Sequence, residues 1–300
     1  MTAAVLTASP PGRKPEHPRS LHVAFWPEQV REVPADALRA SIGGKAVKVS
    51  RLFGPDDDLL LLIVMDLTGD ISLADPAREA LASEIERLPD NVEAGLLRAQ
   101  DGLSVLVDPG AEKPALTKAI RDLPVSGYAG LLDSVETALH LGDAILAKAA
   151  VRVAVLYVTD SSIQNYRAGY TNPVVNSSDS RDMSRRFPEG LVKEETGKIL
   201  AKVARTQTPL FVVHLDYRSD RLNEAYQTGL IDIVNASGGS VQYCRTPADI
   251  PGAIAGAVAR IRAHQSAEIE PPLPPGSIDL ALEAEGFVLH YRSRFEARKR

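Results

Sequence analysis

At 300 residues, 44% hydrophobic and 24% charged, the chain is long enough to bury one large core beside a small companion. A formal net charge of −5, with no basic stripe interleaved with aromatic residues, argues against a nucleic-acid partner. A single cysteine, Cys244, excludes an intrachain disulfide and a cysteine-rich zinc site, and no stretch reaches the length of a transmembrane span.

Residues 1–20 are Pro-rich and polar and are expected to form a flexible leader. The opening MTAAVLTASPPGRKPEHP lacks the basic segment that begins a secretory signal. Leu21 to Trp26 and Leu38 to Phe53 read as β segments, the second broken by the Gly-Gly turn of IGGK, which suits a hairpin. Residues 21–55 are therefore expected to form a small β element, with GPDDD at Gly54 to Asp58 as the hinge into the main domain, residues 56–268.

The main domain opens on LLLLIVMD, seven apolar residues from Leu59 to Met65 that end on Asp66. Such a run, rich in branched side chains and without helical period, suits a strand covered on both faces of a parallel sheet. Ser72 to Leu88 carries apolar residues at Ala77, Leu81, Ile85 and Leu88, the spacing of an amphipathic helix. Strands follow at Val92 to Ala99 and Leu103 to Val107, then helices at Pro114 to Leu123 and Leu131 to Ala149. A second apolar strand, Val151 to Thr159, ends on Asp160.

Ser161 to Gly190 is a polar stretch of thirty residues, a loop length that usually signals a role or disorder. Its arginines, Arg167, Arg181, Arg185 and Arg186, and its tyrosines, Tyr166 and Tyr170, have the chemistry of a contact surface, so Arg167, Tyr170 and Arg185 are candidate partner-binding residues. Helices at Glu194 to Arg205, Asn223 to Ser237 and Pro247 to His264 then alternate with strands at Pro209 to Leu215 and Ser240 to Cys244. The alternation predicts an α/β fold, a doubly wound, mostly parallel sheet flanked by helices. Beyond the PPLPP linker, residues 271–275, Ile278 to Phe295 returns to β alternation, and the segment 269–300 is expected to pack with residues 21–55.

In doubly wound sheets ligands bind just outside the carboxyl ends of the strands, which places Asp66, Thr68, Asp70 and Asp160 on one rim. The plainer reading is that Asp66 ends a strand and Asp70 caps the next helix. The six histidines have no ligand spacing, His214 in the apolar FVVHLD reads as a core residue, and nucleotide, nucleophile-elbow and zinc motifs are absent. No catalytic residue is assigned.

The strand ending in D-x-T-G-D, the segment GYAGLLD at Gly127 to Asp133 and the strand ending in VTD at Val158 to Asp160 resemble a von Willebrand factor type A domain. The flanks ASIGGKAVKVSRL, ASGGSVQYCRTPADIPGAIAGAVARIRAH and HYRSRF are similar to those of the bacterial group called VWFA-related. The resemblance implies a Rossmann-like fold, a non-enzymatic protein-binding or adhesion role, an extracytoplasmic setting and a metal-ion-dependent adhesion site. Carried over by position, Asp66, Thr68, Asp70 and Asp160 match ligands of that site, and Ala129 stands where the family has threonine. Oxygen donors of this kind suit Mg²⁺ or Ca²⁺. Two departures, Ala129 and the charged Asp70, mark the site as modified, and three carboxylates around one divalent ion disfavour an acidic ligand. Two alternatives remain at this point: carboxylates that only order loops through backbone N–H groups, and a Mg²⁺-dependent hydrolase or phosphatase using Asp66, Asp70 and Asp160.

Overall fold

The computed structural model describes residues 20–29, 31–166, 188–270, 273 and 276–296. Its longest apolar runs form the middle of a six-stranded sheet: β5 (Leu59–Asp66), β6 (Val92–Arg98), β7 (Ser104–Val107), β8 (Arg152–Thr159), β9 (Leu210–His214) and β10 (Ser240–Tyr243). The order across the sheet is β10-β9-β8-β5-β6-β7, parallel throughout except for the antiparallel edge strand β7. Counted from β5, this is 3-2-1-4-5-6 read from the β7 edge, the doubly wound order.

Because β5 has helices on both sides, its alternate residues serve two cores. Leu61, Ile63 and Met65 pack with α1 (Ile71–Glu86), α2 (Lys113–Arg121) and α6 (Ile250–Ala263). Leu62 and Val64 pack with α3 (Leu131–Leu146), α4 (Pro188–Val203) and α5 (Arg221–Ser237). The α/β class expected from the alternation of elements is the one observed.

The chain ends form a β sandwich. One sheet runs β13 (Leu289–Tyr291), β1 (Leu21–Pro27), β11 (Gln265–Ile269), β4 (Val49–Phe53). The other runs β14 (Arg294–Glu296), β12 (Ser277–Ala284), β2 (Leu38–Ile42), β3 (Lys45–Val47). Their facing residues, among them Leu21, Val23, Phe25, Ala40, Ile42, Ile269, Leu280 and Leu282, make a third core. The other face of β1 turns Ala24 and Trp26 into the core of the main domain, so this strand joins the two units.

Two segments differ from the expectation. Residues 265–269, unassigned from sequence, form β11, where the Gln265 side chain accepts from Val33 N at 2.8 Å and donates to Val33 O at 3.1 Å. The thirty-residue loop is shorter at both ends: Ile163–Asn165 is a 3₁₀ turn capped by Ser162 and Asn165, and α4 starts at Pro188.

Candidate functional site

Asp66 ends β5 and stands in register with Thr159 of β8, and Asp160 N donates to Asp66 O at 3.3 Å. The β5–β8 junction is where the crossovers part, β5 leading through α1 to β6 on one side and β8 leading on to β9 on the other. Such a switch point opens a crevice at the strand ends. Asp66 and Asp160 therefore occupy the rim that the sequence assigned to them.

What the carboxylates do there follows from their partners. Asp66 is fully buried and faces the amino terminus of α3, accepting Gly130 N at 3.0 Å, Leu131 N at 3.2 Å and the Thr159 hydroxyl at 3.1 Å. Gly130 makes this possible, since a Cβ there would sit 1.9 Å from Ala99 O. Asp160 turns toward the loop after β5. Its Oδ1 accepts Thr68 N at 2.7 Å and Thr68 Oγ1 at 3.0 Å, and its Oδ2 accepts Gly69 N at 3.1 Å and Asp70 N at 3.2 Å. Four donors fill the acceptor sites of one carboxylate.

Asp70 points elsewhere. It is the N-cap of α1 and accepts Ser72 N at 2.8 Å and Ser72 Oγ at 2.6 Å, bonds that hold its carboxyl below the usual range. Of the four metal candidates, then, Thr68 and Asp160 meet directly, Asp66 at the end of β5 is bonded to the start of α3, and Asp70 is committed to a helix end. Ala129 is buried and contributes only its N–H, to Asn165 O at 3.2 Å. Among the described residues no group of three or more His, Cys, Asp or Glu is placed to hold a metal ion. As arranged, the carboxylates of Asp66, Asp70 and Asp160 are each engaged by backbone and hydroxyl donors.

Below the rim lies a hydroxyl network with no signature in the sequence. The Thr159 and Ser161 hydroxyls are 2.6 Å apart, Ser161 Oγ and Tyr226 OH 3.1 Å, and Tyr226 OH and Tyr166 OH 3.1 Å. Tyr166 OH also accepts Leu132 N, and Ser134 Oγ lies 2.7 Å from Tyr157 OH. Tyr166, read from sequence as part of a contact surface, is instead buried in this network, because its ring packs on Tyr226. Of the partner-binding candidates, Arg167, Tyr170 and Arg185 lie outside the described residues.

Burial pushes the Asp66 carboxyl up to about 7, against the pull of its three donors. Burial pulls His214 down to about 4, although its Nε2 lies 2.8 Å from Ser161 O, and pulls His264 down to about 3. The unfolded chain binds more protons at the two histidines between about 4 and 6.5, and fewer at the aspartate between 3.8 and about 7. These three groups leave one net proton between the states, and His22, lowered by its own burial, adds to it, so stability should rise with pH by at least about 1.4 kcal/mol per unit between pH ~4.5 and ~6. Above the histidine range Asp66 reverses the slope. Urea midpoints measured across this range should peak near pH ~6.5, and Asp66→Asn should steepen the rise and remove the fall above it.

A groove of about 590 Å³ between α4 and α5, lined by Lys193, Arg221, Glu224 and Asp232 among others, contains none of the rim residues. Around the rim, Ile71 and Tyr128 are large hydrophobic residues open to solvent, 62% and 52% exposed.

No family model matches the chain, and no curated protein matches it. Solved structures do resemble it. A von Willebrand factor type A protein from Catenulispora acidiphila is 10% identical over 95% of this chain and 75% of its own, with a TM-score of 0.47. The vWF domain of the type V pili tip protein Mfa5 from Porphyromonas gingivalis is 13% identical over 68% of this chain and 95% of its own, with a TM-score of 0.41. Proximal thread matrix protein 1 from the mussel byssus, described with a zinc-occupied MIDAS motif, is 11% identical over 73% of this chain and 49% of its own, with a TM-score of 0.45. At these scores the chemistry of the rim is left to this chain's own residues.

Proposed function

We propose that this von Willebrand factor type A-like chain is a non-enzymatic protein-binding module whose metal site has become a hydrogen-bonded one. The observation that carries the reading is Asp160, whose two oxygens take four donors from Thr68, Gly69 and Asp70. A cation would have to displace those bonds and find a substitute for the oxygen that Ala129 lacks. The same bonds keep the 68–70 loop fixed, and fixed loops cost a binding surface less ordering entropy. The contact surface on this reading is the rim itself, with Asp70, Ile71 and Tyr128 exposed along it. The setting outside the cytoplasm rests on the family resemblance. A phosphatase reading needs Asp66, Asp70 and Asp160 to converge, and the capping of α1 by Asp70 counts against it.

Titration calorimetry of the chelator-stripped protein with Mg²⁺, Ca²⁺ and Mn²⁺ tests the site. The expected result is no saturable heat with any of the three; saturable binding that Asp66→Ala abolishes would overturn it. A photo-crosslinking residue in place of Tyr128 tests the partner: the same adduct should form with and without chelator, and adducts that need a divalent cation would restore the adhesive mechanism.

A further inference from the structure

Away from the rim, a cavity of about 260 Å³ opens where α5 and α6 meet the terminal β sandwich. Trp26, Asn235, Gly238, Gly239, Arg260, His290, Tyr291 and Arg292 line it, and none of them is acidic. In a chain with net charge −5, three basic side chains facing one cavity without a carboxylate are unusual.

The basic groups divide into those already committed and those left open. Arg292 is 8% exposed and donates through Nη1 to Thr206 O at 2.8 Å, through Nη2 to Ala204 O and through Nε to Arg294 O, with its guanidinium 4.2 Å from the Phe295 ring centroid. It forms a fixed cationic floor. Arg260 stands with its guanidinium 4.9 Å from the centroid of the Trp26 ring, and Trp26 Nε1 donates to Arg260 O at 2.8 Å, which holds indole and arginine together. Among the described residues the Arg260 guanidinium makes no hydrogen bond or ion pair, and the His290 ring and the Asn235 amide likewise have no hydrogen-bond partner. A stacked guanidinium keeps its edge N–H groups free in a plane suited to a two-oxygen acceptor.

We propose that this cavity is a binding site for a small oxyanion, a carboxylate or a phosphate, held by Arg260 and His290 over the Arg292 floor. Stacking on Trp26 fixes Arg260 before the ligand arrives, so little side-chain entropy is lost on binding. The volume, about 260 Å³, accommodates a compact group. The location, at the seam between two units, is one where small-ligand sites recur.

Trp26 is the chain's only tryptophan, so its fluorescence reports this cavity alone. The full chain is titrated with phosphate and, separately, with acetate, each at ionic strength matched with chloride. A saturable change in emission with either anion and none with chloride is the expected result; the arm that saturates at lower concentration identifies tetrahedral phosphate or planar carboxylate as the preferred form. Arg260→Gln and His290→Gln, both at exposed positions, should each weaken the half-saturation by about tenfold. A linear change shared with chloride, or a saturable one untouched by both substitutions, would overturn the proposal.

Discussion

Replacing Arg152 with methionine is expected to destabilise the fold by about 3–5 kcal/mol, although the residue is far from the rim. Arg152 opens β8 and is completely buried. Its Nη1 donates to Arg262 O and His264 O, each at 2.9 Å, and its Nη2 to Pro55 O and Asp57 O, each at 2.7 Å. One guanidinium thus ties the hinge before β5 to the end of α6. Among the described residues no carboxylate forms an ion pair with it, although Asp57, Asp56 and Glu32 favour its charge from a distance; the carbonyls it satisfies include those at the carboxyl end of a helix, where a cation is favoured. Burial still lowers the group to about 10, which leaves it charged at neutral pH. Methionine fills the stem's volume but leaves four carbonyls unanswered. Arg152→Lys should recover only part of the loss, since a single ammonium lacks the planar fork. Urea unfolding of the two variants checks this, and a loss below about 1 kcal/mol for methionine would show that water reaches the carbonyls unaided.

Gly130→Ala should cost at least about 3 kcal/mol, a large effect for one methyl group. The backbone there, φ −119° and ψ −4°, is open to alanine, so the penalty comes from space alone. The new Cβ would fall 1.9 Å from Ala99 O, and α3 can escape only by withdrawing its first turn. Withdrawal removes the Gly130 and Leu131 amides from Asp66 and leaves a buried carboxylate with the Thr159 hydroxyl. Gly197→Ala in α4 is the control. With nothing within 4 Å of its Cβ position, it should stabilise by about 0.5–1 kcal/mol. Thermal melts of the pair would separate contact from propensity: equal and opposite shifts of small size would refute the steric account.

The layered α/β core was legible because its signals are local. The run Leu59 to Met65 and the spacing of Ala77, Leu81 and Ile85 state strand and helix without reference to the rest of the chain. The start of α4 was not, since Gly190 and Gly197 weaken the helical pattern although Pro188 suits a helix's first turn. β11 escaped because the polar Gln265, Ser266 and Glu268 break the apolar pattern of a buried strand; the strand depends on the Gln265 amide reaching a backbone group at Val33. At the rim, Asp66 and Asp160 close their strands as the apolar runs before them imply, but a carboxylate that orders a loop and one that binds a cation are spelled the same way. Only the partners distinguish them, and Gly130, Thr159 and Thr68 come from three separate elements. Arg152, for its part, sits at the head of an apolar strand with nothing to mark the four carbonyls it gathers.

The terminal sandwich sets the order in which the protein can be made. Leu21 pairs with Ile269, Phe25 with Tyr291 and Ala40 with Leu282, so its core is assembled from opposite ends of the sequence. The central sheet, by contrast, is contiguous from Leu59 to Tyr243 and can close once those residues have been synthesised. On the ribosome, Leu21, Val23 and Phe25 emerge before Ile269, Leu280 and Leu282, and stay uncovered until the segment through Phe295 follows. Closing so long a loop is slow, and during that interval the apolar face of β1 is exposed to aggregation and open to a chaperone.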